Sequence, residues 1–299
     1  MRSSAICLLV LFVTLIVGCG KKEVAVDETP KTPEQIAEEV RDNLDCPAKI
    51  VTKRAEGAPI DDIQGVRPGL TFDEAQNLVL CIDKKYVSRP GETGYSLNAY
   101  EYSNKMRKGF IATLKGDGYI TDSDGNPIME ATGQKRENVI PTWDVITLGL
   151  PNEELVISVK RTEYFYNNNP TIDSTKQALT NKYGKPATIK VNEYTGEIIL
   201  YWAYDTLDRP ITETSPLYRE CATSLDSSLG KDCGVRIVAI VGAVQENKKL
   251  VGILEVSIID SAKGSELFDK TQRNFDELDS KRRAEELKDA EKNSSSTAL

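Results

Sequence analysis

Histidine is absent from this 299-residue sequence. Ser-His-Asp and Cys-His nucleophilic systems, His-ligated zinc hydrolases and two-His iron sites are therefore excluded for the chain acting alone. The usual proton shuttle near neutral pH goes with them. What remains is carboxylate-pair chemistry and Ser-Lys arrangements. Neither has a local signature: there is no Gly-x-Ser-x-Gly elbow, no Ser-x-x-Lys followed by Lys-Thr-Gly, no P-loop and no Gly-x-Gly-x-x-Gly. The nearest approach to a calcium loop is Asp117 to Glu130, and it fails, because setting Gly125 at the sixth position puts Ile120 at the first. Ser123-Asp124-Gly125-Asn126 reads as a tight turn. No catalytic residue, metal ligand or other cofactor site is expected.

Cysteine is the remaining distinctive chemistry, with six in the chain. Cys7 and Cys19 belong to the N-terminus. Arg2 supplies a positive start, and Ala5 to Val17 is almost unbroken Leu, Ile, Val, Phe and Ala. That run is shorter than the roughly 20 apolar residues needed to span a bilayer, and its layout is that of an export signal. Ile16-Val17-Gly18-Cys19 resembles the bacterial lipobox, which implies cleavage before Cys19 and lipidation of that residue. A palmitoylated and otherwise acylated Cys19 would anchor the protein, since one chain alone holds only marginally. In the lipoprotein family, Gly20 and Lys21 after the cysteine imply the outer membrane, facing the periplasm. Loss of residues 1–18 removes Arg2, leaving the mature chain one unit more negative than the formal −8 of the whole. Such a chain is repelled by phosphate backbones, so nucleic acid is not an expected partner, whereas a basic protein is steered toward it.

Cys46, Cys81, Cys221 and Cys233 remain, an even number in an oxidising compartment. Three pairings are possible. Cys46–Cys81 and Cys221–Cys233 are expected because each pair lies within one segment, each loop closure stabilising by about 3 kcal/mol on the chain-entropy model. The spacings do not suit zinc.

The elements that hold these residues read as an α+β fold. After the signal peptide at 1–18, residues 19–31 form a polar tether. An N-terminal lobe is expected over 32–166, a similar lobe over 167–263, a C-terminal helix over 264–292 and a polar tail over 293–299; Asn293-Ser294-Ser295 belongs to that tail. Thr32, Pro33 and Gln35 open a helix with Ile36, Val40 and Leu44 on one stripe. Thr71 and Glu74 cap a second, with Phe72, Ala75, Leu78, Val79, Ile82 and Tyr86 on one face and Leu70 stapled against Ala75. Residues 88–105 read as loop, 110–114 as a strand, and 143–150 with 154–165 as a hairpin. The pattern then restarts: a helix over 171–183, stopped by Gly184, strands at 187–193 and 197–205, and a hairpin of 235–244 with 250–259. Each lobe is thus helix on small antiparallel sheet. A last helix from Ser265 carries Leu267, Phe268, Phe275 and Leu278 on one side and becomes highly charged beyond Asp279.

The stretch "IQGVRPGLTFDEAQNLV" (63–79) resembles the Gly-x-x-x-Gly-[Leu/Met]-Thr-x-x-Glu-[Ala/Val] opening of the SmpA/OmlA family and of β-lactamase-inhibitor-protein-like domains. "ALTNKYGKP" (178–186) is similar to the Leu-x-x-Lys-Tyr-Gly-x-Pro of related exported proteins. The resemblance implies helices against a small antiparallel sheet, sometimes in tandem. It also implies action by protein binding, as an inhibitor of secreted enzymes or at the outer-membrane assembly machinery.

A binding surface needs aromatic anchors. Tyr95, Tyr100 and Tyr102 lie in the loop of residues 89–104, rich in Tyr, Ser, Gly and Asn as paratopes are. Tyr164 and Tyr166 belong to "EYFYNNNP". On the 198–205 strand, alternation sets Ile198, Leu200, Trp202 and Tyr204 to the core and Tyr201 to the opposite face. The expected function is that of a non-catalytic, lipid-anchored lipoprotein that binds a protein partner, such as a secreted enzyme or toxin, as an inhibitor or immunity protein. The alternatives are an envelope-assembly scaffold and a carboxylate-dependent cell-wall glycan hydrolase.

Overall fold

The structure is a computed structural model that describes residues 32–83, 85–91, 97, 104–114, 141–165, 168–224 and 228–294. Helix α1 (Pro33–Asp42) and helix α2 (Phe72–Ile82) both begin at complete capping boxes, Thr32 with Gln35 and Thr71 with Glu74. Each box satisfies two of the amides a helix start leaves unpaired. Four strands follow: β1 (Tyr86–Pro90), β2 (Gly109–Leu114), β3 (Thr142–Leu148) and β4 (Leu155–Tyr164). Helix α3 (Ile172–Tyr183), capped by Thr171, precedes β5 (Thr188–Val191), β6 (Ile198–Asp205), the single turn α4 (Tyr218–Cys221), β7 (Cys233–Val244) and β8 (Asn247–Asp260). Helix α5 (Ser261–Ser294) continues directly from β8.

All eight strands join one antiparallel sheet, in the order β1-β2-β3-β4-β8-β7-β6-β5. The α+β class expected from the sequence is therefore present. The strands do not separate into two small sheets, because β4 pairs with β8 along seven residue pairs, Ser158–Ile259 through Tyr164–Ile253. One core runs the width of the face carrying α2 and α3. Its central row, Phe110, Val145, Val159, Ile258, Ile237 and Trp202, crosses from β2 to β6 in register. Burying each such side chain contributes about 1.5–3 kcal/mol.

Helix α5 covers part of the other face. Its first half docks Leu267, Phe268, Phe275 and Leu278 against Ile146, Leu148 and Ile157, and the same cluster takes in Leu97 and Met106. Gly264 permits the close approach: a Cβ there would lie 2.6 Å from Leu229 Cδ2. From Arg283 to Asn293 every residue of α5 is exposed. That stretch is bordered by pairs such as Lys281–Glu277 and Arg282–Glu286 at helical spacing.

Several sequence expectations are corrected. Helix α2 stops at Ile82, which is exposed, and Tyr86 starts a strand instead of extending the helix face. Residues 88–90, expected to open a loop, belong to the sheet-edge strand β1, a position where Pro90 is tolerated. Helix α5 starts at Ser261, ahead of Ser265, because Asp260 accepts a hydrogen bond from Lys263 N at 3.1 Å and caps it. Within residues 63–79 the expected capped helix is present, with Leu70 and Ala75 fully buried.

Both expected cysteine pairs are present, Cys46–Cys81 and Cys221–Cys233, each with Cα atoms 5.6 Å apart. The first ties the segment after α1 to the end of α2. The beginning of α2 is tied by Glu74, whose carboxylate accepts from Val51 N (2.7 Å), Thr52 N (2.8 Å), Thr52 Oγ1 (2.7 Å) and Thr71 N (3.0 Å). Burial opposes its ionisation, but these hydrogen bonds outweigh burial and hold the Glu74 pKa down to about 2. A depressed carboxylate contributes stability above its unfolded pKa and loses it as pH falls toward the folded one. Urea unfolding of Glu74→Gln should show a loss of about 1–3 kcal/mol at neutral pH. The gap from wild type should close as pH falls from about 4.5 toward 2; an unchanged gap at low pH would refute the assignment.

Candidate functional site

Strand alternation and the sheet register together place a second set of side chains on the α5 face. One row crosses all eight strands: Arg89, Ile111, Asp144, Lys160, Ser257, Val238, Tyr201 and Thr188. The next row outward holds Thr142, Thr162, Glu255, Ile240, Ile199 and Lys190. The row on the other side of the first, Ile146, Ser158, Ile259, Arg236 and Ala203, includes the floor under α5: Ile146 packs in its cluster and Arg236 Nε donates to Ser261 Oγ at 3.0 Å. Beyond the helix the rows are half-buried at Ile111, Asp144, Lys160, Ser257, Val238, Ile240, Ile199 and Glu255. The result is a sheet surface with an ionic centre and an apolar flank over β7 and β6.

The ionic centre is internally connected. Lys160 Nζ stands 4.0 Å from Asp144 Oδ2, Thr162 Oγ1 donates to Glu255 Oε2 at 3.2 Å, and Thr142 Oγ1 donates to the Thr162 carbonyl at 3.5 Å. Burial raises the Asp144 pKa above the ordinary carboxylate range; Lys160 and Arg89 pull it down and Glu255 pushes it up, leaving it raised. Cross-strand pairs of this kind add small increments to sheet stability. Their position at a partly open surface makes them available to a partner.

Two of the sequence-predicted contact residues fall on this face. Tyr164 is half-buried opposite Ile253. Tyr201 faces away from Leu200 and Trp202, as alternation required, but it is only 2% exposed. Lys190 lies over its ring, Nζ 5.1 Å from the centroid, and is held there by a 2.6 Å hydrogen bond to the Thr223 carbonyl. Tyr201 is therefore packed sheet, and its neighbours Val238 and Ile199 are half-buried. Cys19, Tyr95, Tyr100, Tyr102 and Tyr166 lie outside the described residues. Leu97, within the tyrosine-rich loop, and Met106, just beyond it, are both buried in the α5 cluster.

Sequence reasoning missed Asp144, Lys160 and Glu255. The available signal was a polar residue at every second position of strands that otherwise read as apolar. Among the described residues no group of three or more Cys, Asp and Glu side chains could hold a metal ion, and no helix is long and apolar enough to cross a membrane. No protein-family model, curated protein or solved structure matches this chain.

Because Lys160 opposes the rise, replacing it should raise Asp144 further. Carboxyl-detected NMR titration should show Asp144 titrating above ordinary aspartates in the wild type and higher still in Lys160→Met. A downward move in the variant would refute the coupling.

Proposed function

We infer that this chain is an exported, lipid-anchored protein without catalytic activity that binds a protein partner through the half-open sheet face beside α5. The observation that supports this reading is two adjacent rows of side chains, one of them crossing all eight strands, with Asp144, Lys160 and Glu255 at their centre and Val238, Ile240 and Ile199 on their flank. An apolar patch next to charged and hydroxyl groups is the composition of a protein interface, in which burial supplies affinity and ionic groups set register. Within this class we favour an inhibitor or immunity-type role over an assembly scaffold. The partner is a secreted enzyme or toxin, drawn in by the acidic balance of the chain when its own contact surface is basic.

Two further parts of the reading belong with it. The chain is built of two related lobes, each a helix followed by four antiparallel strands and fused edge to edge between β4 and β8; the order of elements supports this. The anchor is a lipid on Cys19, at the periplasmic side of the outer membrane; the lipobox-like sequence supports it. A glycan hydrolase is the second reading, favoured by the raised pKa of Asp144 near Glu255.

Mass spectrometry of the mature protein should find Cys19 as an acylated N-terminus, and Cys19→Ser should leave the signal uncleaved and the lipid absent. A wild-type polypeptide retaining residues 1–18 refutes the anchor. For the binding face, a partner captured from solubilised envelopes should be purified and titrated against variants. Ile240→Glu should weaken binding by about a hundredfold or more, as hot-spot changes do, whereas Leu287→Glu on the exposed end of α5 should not. Equal binding by both variants sinks the face; loss of peptidoglycan cleavage in a folded Asp144→Asn variant would establish the hydrolase instead.

A further inference from the structure

The opposite face of the sheet carries a charge where the pattern calls for an apolar residue. On the core side, the row next to the central one reads Ala112, Trp143, Arg161, Val256, Ala239 and Leu200, each paired across the strands with the next. Arg161 is its only charged member. Its side chain is 16% exposed and its Nη2 lies 2.9 Å from Glu163 Oε2. Its Cζ stands 5.8 Å from the Trp143 ring centroid. The Nε of Arg161 is buried without a hydrogen-bond partner. Among the described residues nothing accepts from that N–H, and a guanidinium N–H left unsatisfied in this setting is costly.

Arg161 opens into a groove of about 500 Å³ between α3 and the tight turn at Ile63–Val66. Gln64 and Gly65 both take positive φ (52° and 88°) there, folding the turn back so that it walls one side. The remaining lining is mostly apolar: Leu179 of α3 and Leu254 and Val256 of β8. Lys182 stands at its edge, already 3.0 Å from Asp62, and among the described residues no carboxylate lines the groove. The volume falls within the range of small-molecule sites, and so does the lining of apolar walls around few polar groups.

We propose that this groove binds a small amphiphilic carboxylate, its head on Arg161 and its apolar body across Leu179, Leu254 and Val256. A single carboxylate matches the planar guanidinium and adds a charge-assisted pair from the groove side. One buried cation, partly neutralised by Glu163, suits one negative charge. The site lies on the face opposite the partner surface proposed above and does not depend on it.

The probe is decanoate, titrated calorimetrically below its micelle concentration into the folded, disulfide-intact protein, with decanol as the neutral control. Decanoate should bind saturably with one-to-one stoichiometry, and decanol about tenfold or more weaker, as loss of a charge-assisted pair entails. Arg161→Met should weaken decanoate to the level of decanol. Ala178→Trp, at an exposed helical position lining the groove, should abolish binding of both while leaving the near-ultraviolet circular dichroism intact. Absence of saturable binding, equal affinity for decanol, or decanoate binding unaffected in Ala178→Trp would each overturn the proposal.

Discussion

The pairing of β4 with β8 is the constraint on which the rest of the molecule depends. Facing residues of these strands, such as Thr162 and Glu255, lie 93 residues apart in sequence, so the loop-closure entropy of joining them must be recovered from what the junction buries. Their seven pairs place Val159 beside Ile258 and Arg161 beside Val256 on one face, and Lys160 beside Ser257 and Thr162 beside Glu255 on the other. A slip of one residue would exchange those sets, putting Lys160 into the core and Val159 at the ionic surface. Register at this seam is therefore specified from both faces at once. Everything proposed for either face inherits its geometry from it.

The seam also explains why both faces hold incompletely covered surface. Helices α2 and α3 each lie on strands of their own half, and the seam between them is walled by only the Ile63–Val66 turn and the side of α3. On the other face α5 serves both halves; with contacts to β7, β3, β4 and β8 it covers one end of these strands and leaves the rows toward the other end half-buried. A sheet whose helices cover only parts of each face exposes more side-chain area than one backed on both faces throughout. Large partly open sheet surface is uncommon unless something else occupies it.

The local elements were legible in the sequence because local chemistry decides them. Thr32, Thr71 and Thr171 each announced a helix start and each caps one. Gly184 announced a stop, and it takes φ 81° there. Alternation within residues 198–205 divided Trp202 from Tyr201 correctly. What local pattern does not carry is which strand meets which, and so the joining of all eight strands into one sheet was out of its reach. It also misled at the margins: "KKYVSRP" has the charge and proline of a loop, yet its end pairs with β2 as an edge strand. Gly264 lies within α5, where a Cβ would come 2.6 Å from the tip of the Leu229 side chain. The burial of Tyr201 was equally out of reach, since it depends on Lys190 being held by the Thr223 carbonyl from a segment 33 residues away.

Two arginines show how this protein treats a buried ion pair. Arg107 meets the fully buried Glu154 through its backbone N (2.8 Å), Nε (3.1 Å) and Nη2 (2.8 Å), while its Nη1 reaches Asp73 at 2.6 Å and its guanidinium lies over Phe72 at 4.2 Å. Burial opposes ionisation of Glu154, and the Arg107 bonds reverse that effect and lower its pKa. This pair closes the start of α2, the segment before β2 and the start of β4 into one corner, with both sides of the guanidinium engaged. A purely structural arginine here is thus satisfied on both edges, in keeping with the cost of burying charge that is only partly paired. Arg161 has the same kind of partner in Glu163 and an aromatic ring in Trp143, but its Nε is left over, and it sits beneath a groove instead of inside a corner. Were Arg161 retained for packing alone, an apolar residue of similar volume between Trp143 and Val256 would serve the row better. The charge at that position is explained by something that comes to it.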